Sequence, residues 1–204
     1  MLSDHARCIR VVIPSLTTRG RACPSTAMKR TRVNVIRVHR SPLDHRKGLL
    51  KAGNLTLPCA IGRSGTSHGK REGDGASPVG RFRLLQAFYR ADHGPRPRTG
   101  LKLRPIRPGD GWSDDVRDRR YNTLVPLPCS LSHEKMWRED HLYDVVIDIG
   151  WNRGPIRKGR GSAIFLHLAR PGFLPTEGCV AVEPRMIRRL LERIGPDTHI
   201  EIVA

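Results

Sequence analysis

Aromatic residues are scarce in this chain. Phe, Trp and Tyr make up 5% of its 204 residues, so it lacks the rings interleaved with basic residues on which nucleic-acid bases stack. Long apolar runs are missing too, and nothing approaches the roughly 18 apolar residues of a membrane-spanning helix. No secretory signal is visible. The best apolar run near the N-terminus, Val11-Val12-Ile13, lies between Arg10 and Pro14, far short of the roughly 7–15 apolar residues a signal needs. None of the five cysteines, Cys8, Cys23, Cys59, Cys129 and Cys179, forms a Cys-x-x-Cys pair. That excludes a zinc ribbon and a thioredoxin-like redox motif. Their odd number leaves at least one thiol free if the others pair within the chain. His133-Glu134 and His141 do not make His-Glu-x-x-His, which excludes a zincin. Asp110, Asp114, Asp115 and Asp118 lack the spacing of a calcium loop.

What the chain has in excess is positive charge and turn formers. Lys and Arg number 37 against 19 Asp and Glu, a net charge of +18. Such a field attracts polyanions, but the basic residues are spread along the chain rather than gathered in an arm. Gly 20 and Pro 16 imply many turns, and 38% apolar content suffices for the core of one domain. The fold class expected is mainly β with a few helices, sandwich-like in architecture.

Residues 1–27 show no sustained periodicity and read as a disordered extension or a start-site artefact. The domain is expected to begin near Met28 and to run to residue 204. Strands are expected at Val33–Val38, Leu55–Ile61, Phe82–Tyr89, Tyr143–Ile149, Ala163–Leu168 and His199–Val203. Residues 91–130 read as a long loop-heavy insertion. One amphipathic helix follows Pro184, with Met186, Ile187, Leu190, Leu191 and Ile194 as its apolar stripe and Gly195-Pro196 as its stop.

The stretch Thr176-Glu177-Gly178-Cys179-Val180 carries the chemistry, with His167 twelve residues upstream. A thiol needs a base because the thiolate attacks carbonyl carbon, and a free cysteine is mostly protonated at neutral pH. Glycine beside it leaves backbone N–H groups open to a developing oxyanion. Strand alternation puts Ala163, Phe165 and His167 on one face and Ile164, Leu166 and Leu168 on the other. Cys59 and Cys129 have no such histidine–glycine frame.

The cysteine turn resembles the Ser/Thr-x-Gly-Cys-Val/Ile signature of the L,D-transpeptidase (YkuD-type) catalytic domain. His167 matches that family's upstream histidine. Ser77-Pro78-Val79-Gly80-Arg81-Phe82 is similar to its Thr-Pro-x-Gly-x-Phe turn, and the order of these features agrees over roughly residues 33–203. Two positions depart from the pattern: Glu177 stands where a basic residue or histidine is usual, and Ala181 where Arg or Asn is common.

The resemblance implies a Cys179 thioester formed on a peptidoglycan stem peptide, with His167 as general base and acid and with Gly178 beside the Cys179 N–H at the oxyanion. It implies no cofactor and no metal, and a site of action in the cell envelope. A backbone carbonyl rather than a carboxylate is expected to orient His167. Thr176, Glu177, Lys70, Arg71, Trp112, Tyr121 and Asn122 are the expected substrate contacts, the last three from an insertion acting as a lid. The glycine-rich stretch from Gly62 to Gly75 lacks P-loop order and reads as plain turns. Acylation is expected to rise with pH as the histidine–cysteine pair ionises. The other classes the sequence leaves open are an L,D-carboxypeptidase, a non-catalytic cell-wall peptide binder and a basic polyanion-binding domain, with nucleic acid not expected as a partner.

Overall fold

The structure, a computed structural model, describes residues 32–204. The expected extension over residues 1–27, the start near Met28, and Cys8 and Cys23 all lie outside those residues.

Apolar–polar alternation makes the first strands. β1 (Val35–Arg40) buries Ile36 and Val38 and exposes Arg37. β2 (Lys47–Ala52) buries Leu50 and Ala52 and turns through Gly53, at φ +60°, into β3 (Leu55–Ala60). No element was expected at β2, where an exposed Leu49 next to Leu50 and a glycine at the buried position 48 hide the alternation. Two short strands follow, β4 (Thr66–Ser67) and β5 (Ser77–Pro78). The single strand expected over Phe82–Tyr89 is divided into β6 (Gly80–Arg83) and β7 (Gln86–Tyr89). The loop-heavy insertion is partly ordered as β8 (Lys102–Pro105), β9 (Asp110–Ser113) and β10 (Leu124–Pro126), followed by β11 (His133–Lys135). The chain then forms β12 (Val145–Asp148), β13 (Phe165–Leu168), β14 (Val180–Val182), α1 (Pro184–Leu191) and β15 (His199–Val203).

One mixed sheet takes ten of these strands in the order β6-β15-β1-β2-β3-β14-β13-β12-β7-β8. β6 and β7 are consecutive in sequence yet lie near opposite ends of that order. The two residues between them explain how. Leu84 N–H donates to Thr198 C=O and Leu85 N–H to Asp148 C=O, each at 3.0 Å. The sheet therefore curls until its two ends meet across Leu84–Leu85. The sandwich-like body expected from sequence is this one sheet folded over itself. Its interior holds Ile36, Val38, Leu50, Ile147, Leu166, Val180 and Ile200, and α1 adds Ile187, Leu190 and Leu191. α1 is the only α-helix among the described residues, where a few were expected.

A three-stranded sheet, β10-β9-β11, covers the other face of β12 and β13. A second core forms there from Phe88, Trp112, Met136, Tyr143, Val146 and Phe165. Trp112 stands edge-on to Phe165 with ring centroids 5.0 Å apart. β13 is thus buried on both faces, which is why its sequence is nearly all apolar. No helix of the described residues is long and apolar enough to cross a membrane.

Candidate active site

β13 and β14 are parallel neighbours, with His167 beside Ala181 in the ladder. Cys179 lies one residue before β14, and the Phe165 N–H donates to its Sγ at 3.3 Å. Alternation sends Leu166, Leu168, Val180 and Val182 into the main core. Phe165, His167, Cys179 and Ala181 face the other way, as the sequence pattern required of His167. Cys179 and His167 are only 8% and 6% exposed, and both open on one cleft of about 360 Å³. Glu72, Asp114, Glu134, Arg138, Tyr143, Arg170, Thr176, Glu177 and Ala181 share its lining.

A family model for the L,D-transpeptidase catalytic domain, YkuD, matches residues 36–202. That span runs from the second residue of β1 to the penultimate residue of β15 and includes the helix, the cysteine turn and the histidine strand. The chain belongs to the L,D-transpeptidase catalytic-domain family. No curated protein matches it. Among solved structures, L,D-transpeptidase 1 of Mycobacterium tuberculosis is similar over 83% of this chain and 62% of that one, with 11% identity and a TM-score of 0.36. The present chain thus spans less than two thirds of that structure.

In this L,D-transpeptidase-family domain a backbone carbonyl holds the histidine. His167 Nδ1 lies 2.9 Å from Leu168 C=O. A carbonyl only accepts, so Nδ1 carries the proton and Nε2 presents the basic lone pair. Tyr143 fixes the ring from the side, edge-on at 5.3 Å between centroids. The thiol is not hydrogen-bonded to the imidazole here. It donates to Ala163 C=O at 3.2 Å. Ala163 sits at φ +52°, a left-handed backbone that aims this carbonyl at the sulfur.

Burial sets the proton positions. It pushes the Cys179 thiol up to about 12, with the Phe165 N–H opposing it. It pulls the His167 imidazole down to about 4, against the Leu168 hydrogen bond. Both groups are therefore neutral through the neutral range, and the ionised pair expected from sequence is not the resting state. Cys59 is likewise pushed up to about 12 by burial, so acidity does not single out Cys179; geometry does.

The depressed histidine also links stability to pH. The unfolded imidazole takes up its proton near 6.5, whereas the folded one does so only near 4. Stability is thus full above about pH 6.5 and falls as the pH drops toward 4, by roughly 3 kcal/mol if this group acts alone. Urea midpoints of the wild type and His167→Gln between these limits should converge as the pH is lowered. Parallel curves would remove His167 as the cause.

The glycine-rich stretch is more than turns. Gly62 pairs with Thr176 in an isolated parallel bridge. Thr176 N–H donates to Ile61 C=O at 3.0 Å and Arg63 N–H to Thr176 C=O at 2.8 Å. A Cβ on Gly62 would stand 2.3 Å from Gly75 O, so only glycine allows this approach. Ser77, fully buried, accepts from Gly62 N–H at 2.9 Å and donates to Cys179 C=O at 3.3 Å. Thr176 Oγ1 donates to the same carbonyl at 2.6 Å and accepts from Gly178 N–H at 3.2 Å. The Ser77 turn and the cysteine turn, 102 residues apart, are one hydrogen-bonded unit.

Other expected site residues are placed differently. Gly178 N–H is held by Thr176, so Gly178 serves by its missing side chain rather than as a donor. Glu177 stays in the cleft lining, but its carboxylate accepts from Arg63 Nε at 2.7 Å and not from His167. Lys70 is 2% exposed, and its ammonium is bound to Asp74 and to Arg71 C=O. Lys70 and Arg71 do not line the cleft.

Trp112, Tyr121 and Asn122 do not line it either, because all three are buried behind its wall. They support it from there. Tyr121 donates to the cleft residue Glu72. Asn122 Oδ1 accepts from Trp112 Nε1 at 3.0 Å and from Ala163 N–H at 3.2 Å, fixing the peptide that holds the thiol. The insertion is a packed wall whose contribution to the lining is Asp114. Glu134, Arg138, Tyr143 and Arg170 were not expected in the site. Their positions in sequence carry no motif, and only the covering sheet and the loop after β13 bring them to the cysteine.

Proposed function

We propose that this domain is a cysteine-dependent L,D-transpeptidase acting on peptidoglycan stem peptides in the cell envelope. The observation that carries the reading is the shared face of β13 and the turn into β14, which turns Cys179, beside Phe165, and His167, two residues along the strand, into one cleft. The thiol swings from Ala163 C=O to His167 Nε2 and gives up its proton as sulfur bonds to the substrate carbonyl carbon. The Cys179 N–H holds the oxyanion, and the absent Cβ of Gly178 leaves room for it. On collapse the C–N bond breaks, His167 returns the proton to the departing amine, and the D-amino acid leaves. An amine of a second stem then attacks the thioester carbonyl carbon and loses its proton to His167, the C–S bond breaks, and His167 returns that proton to the Cys179 thiolate, which restores the neutral thiol and imidazole.

The lining suits a zwitterionic peptide. Glu72, Asp114 and the exposed Arg170 share the lining, while Glu134 and Arg138 pair at 2.6 Å. The test is the intact mass after incubation with a carbapenem, an acylating probe of this chemistry. One adduct is expected on the wild type, Cys59→Ala and Cys129→Ala, and none on Cys179→Ala. An adduct that survives Cys179→Ala, or salt-sensitive DNA binding with no adduct at all, sinks the reading.

A further inference from the structure

Outside the cleft, three metal-ligating side chains converge. His93 lies on the turn after β7, and His141 and Asp144 on the segment before β12. The ligand atoms of His93, His141 and Asp144 all lie within 4.8 Å of one another. His93 Nδ1 is 2.5 Å from Asp144 Oδ1, and His141 Nδ1 is 3.0 Å from Asp144 Oδ2. The two rings are tilted with centroids 4.6 Å apart. Both Nδ1 atoms thus point at one carboxylate. We propose that His93, His141 and Asp144 form a zinc-class divalent metal site that clips the cleft wall to the turn after β7.

The donor set selects the metal class. Two imidazoles and one carboxylate suit zinc and its neighbours, whereas calcium and magnesium take all-oxygen sites. Tetrahedral ligands at about 2.0–2.1 Å from zinc stand roughly 3.3 Å apart. The present spacings therefore need adjustments of the side chains alone. In the metal-free form each Nδ1 proton lies on a hydrogen bond to Asp144. The ion takes the place of those two protons, each neutral ring keeping one proton, now on Nε2.

His93 Nε2 then has an acceptor waiting, since Asp92 Oδ2 is 3.5 Å away. A carboxylate behind a ligating histidine is the arrangement that fixes its tautomer. Arg90 Nη2 lies 3.0 Å from His93 Nε2 and 2.7 Å from Asp92 Oδ2, so when Nε2 carries the proton the His93 ring must shift from the guanidinium toward Asp92. Asp92 and Asp144 together outweigh the single positive charge of Arg90. His141 Nε2 meets water, because that side chain is 67% exposed. An open fourth position for water follows from the same exposure.

A second observation comes from the backbone. His141 sits at φ +61°, in the left-handed region that is uncommon for non-glycine residues although histidine is among those that enter it most readily. That turn brings its ring back over Asp144. The segment it anchors continues through Leu142 and Tyr143, both in the cleft lining. No sequence motif joins His93 to His141, so only the fold brings them together.

Zinc added to the full chain, with the wild type compared to His93→Ala, His141→Gln, Asp144→Asn and the His93→Ala/His141→Gln double variant, tests the site. Equilibrium dialysis should show one zinc fewer on the double variant and at least tenfold weaker binding in each single one. Zinc should raise the thermal midpoint of the wild type but not of the double variant, and magnesium should raise neither. Cobalt(II) should give the visible bands of a tetrahedral ion without a thiolate charge-transfer band. Undiminished zinc on the double variant, a thiolate band, or no zinc retained by the wild type at micromolar concentration overturns the proposal. None of these readouts depends on Cys179 chemistry, so the carbapenem adduct stands or falls separately.

Discussion

His167→Ala should slow acylation of Cys179 by a carbapenem by about 100- to 10,000-fold at neutral pH, the usual contribution of a positioned general base. The pH profile separates this from a structural defect. Wild-type His167 loses its proton near 4, and the Cys179 thiol keeps its own up to about 12. The reactive pair, neutral thiol and neutral imidazole, is therefore present from about pH 5 to the alkaline limit of the fold, and wild-type acylation should be level across that range. The variant has only the free thiolate to attack with, so its rate should climb about tenfold per pH unit. This replaces the rising wild-type profile that the sequence suggested, because burial keeps the pair un-ionised. A level profile in His167→Ala would take the imidazole out of the proton path.

Gly178→Ala should be nearly as damaging, for a different reason. A Cβ there would stand 2.8 Å from Ala76 O and 3.1 Å from Ile164 Cδ1, on a backbone at φ +130°. The backbone strain and the clash each cost on the order of 1–3 kcal/mol. Relief requires the Gly178–Cys179 peptide to turn, and that moves the Cys179 N–H away from the oxyanion. Acylation is expected to fall at least about 100-fold, with a lower thermal midpoint. Gly172→Ala is the control: its φ is +72° but nothing lies within 4 Å of the added carbon. A wild-type rate and midpoint in Gly178→Ala would mean the turn is softer than its contacts imply.

The parts legible in sequence are those where one local pattern decides. The two-residue period of a strand puts His167 on the face away from Leu166, and the ladder of Phe165–Leu168, two residues shorter at its start than expected, keeps it there. Pro184 and the apolar stripe set α1. β2 is hidden in the sequence because Leu49 puts an apolar residue on the exposed face and Gly48 leaves the buried one without a side chain, and its partners β1 and β3 define it as a strand. Phe82–Tyr89 looked continuous because nothing in the chain marks Leu84–Leu85 as a crossing point. That role exists only once Thr198 and Asp148 offer their carbonyls from two ends of the sheet.

The insertion shows the same limit in the site. Trp112, Tyr121 and Asn122 are polar-tipped residues of the kind that line clefts. Their tips are satisfied internally, by Asn122, Glu72 and the Ala163 N–H respectively. Lys70 looked like an anion contact until Asp74, four residues on, neutralised it within the wall.

The β-rich class and the family were legible in the chain, as was the placing of Cys179 and His167 on one face, because those rest on residue types at fixed local spacing. Tertiary structure alone decided the state of that pair. Burial from two packed faces holds both groups neutral, Ala163 parks the thiol proton, and Leu168 picks the tautomer. These are through-space effects of dielectric and direction, and no spacing along the chain encodes them.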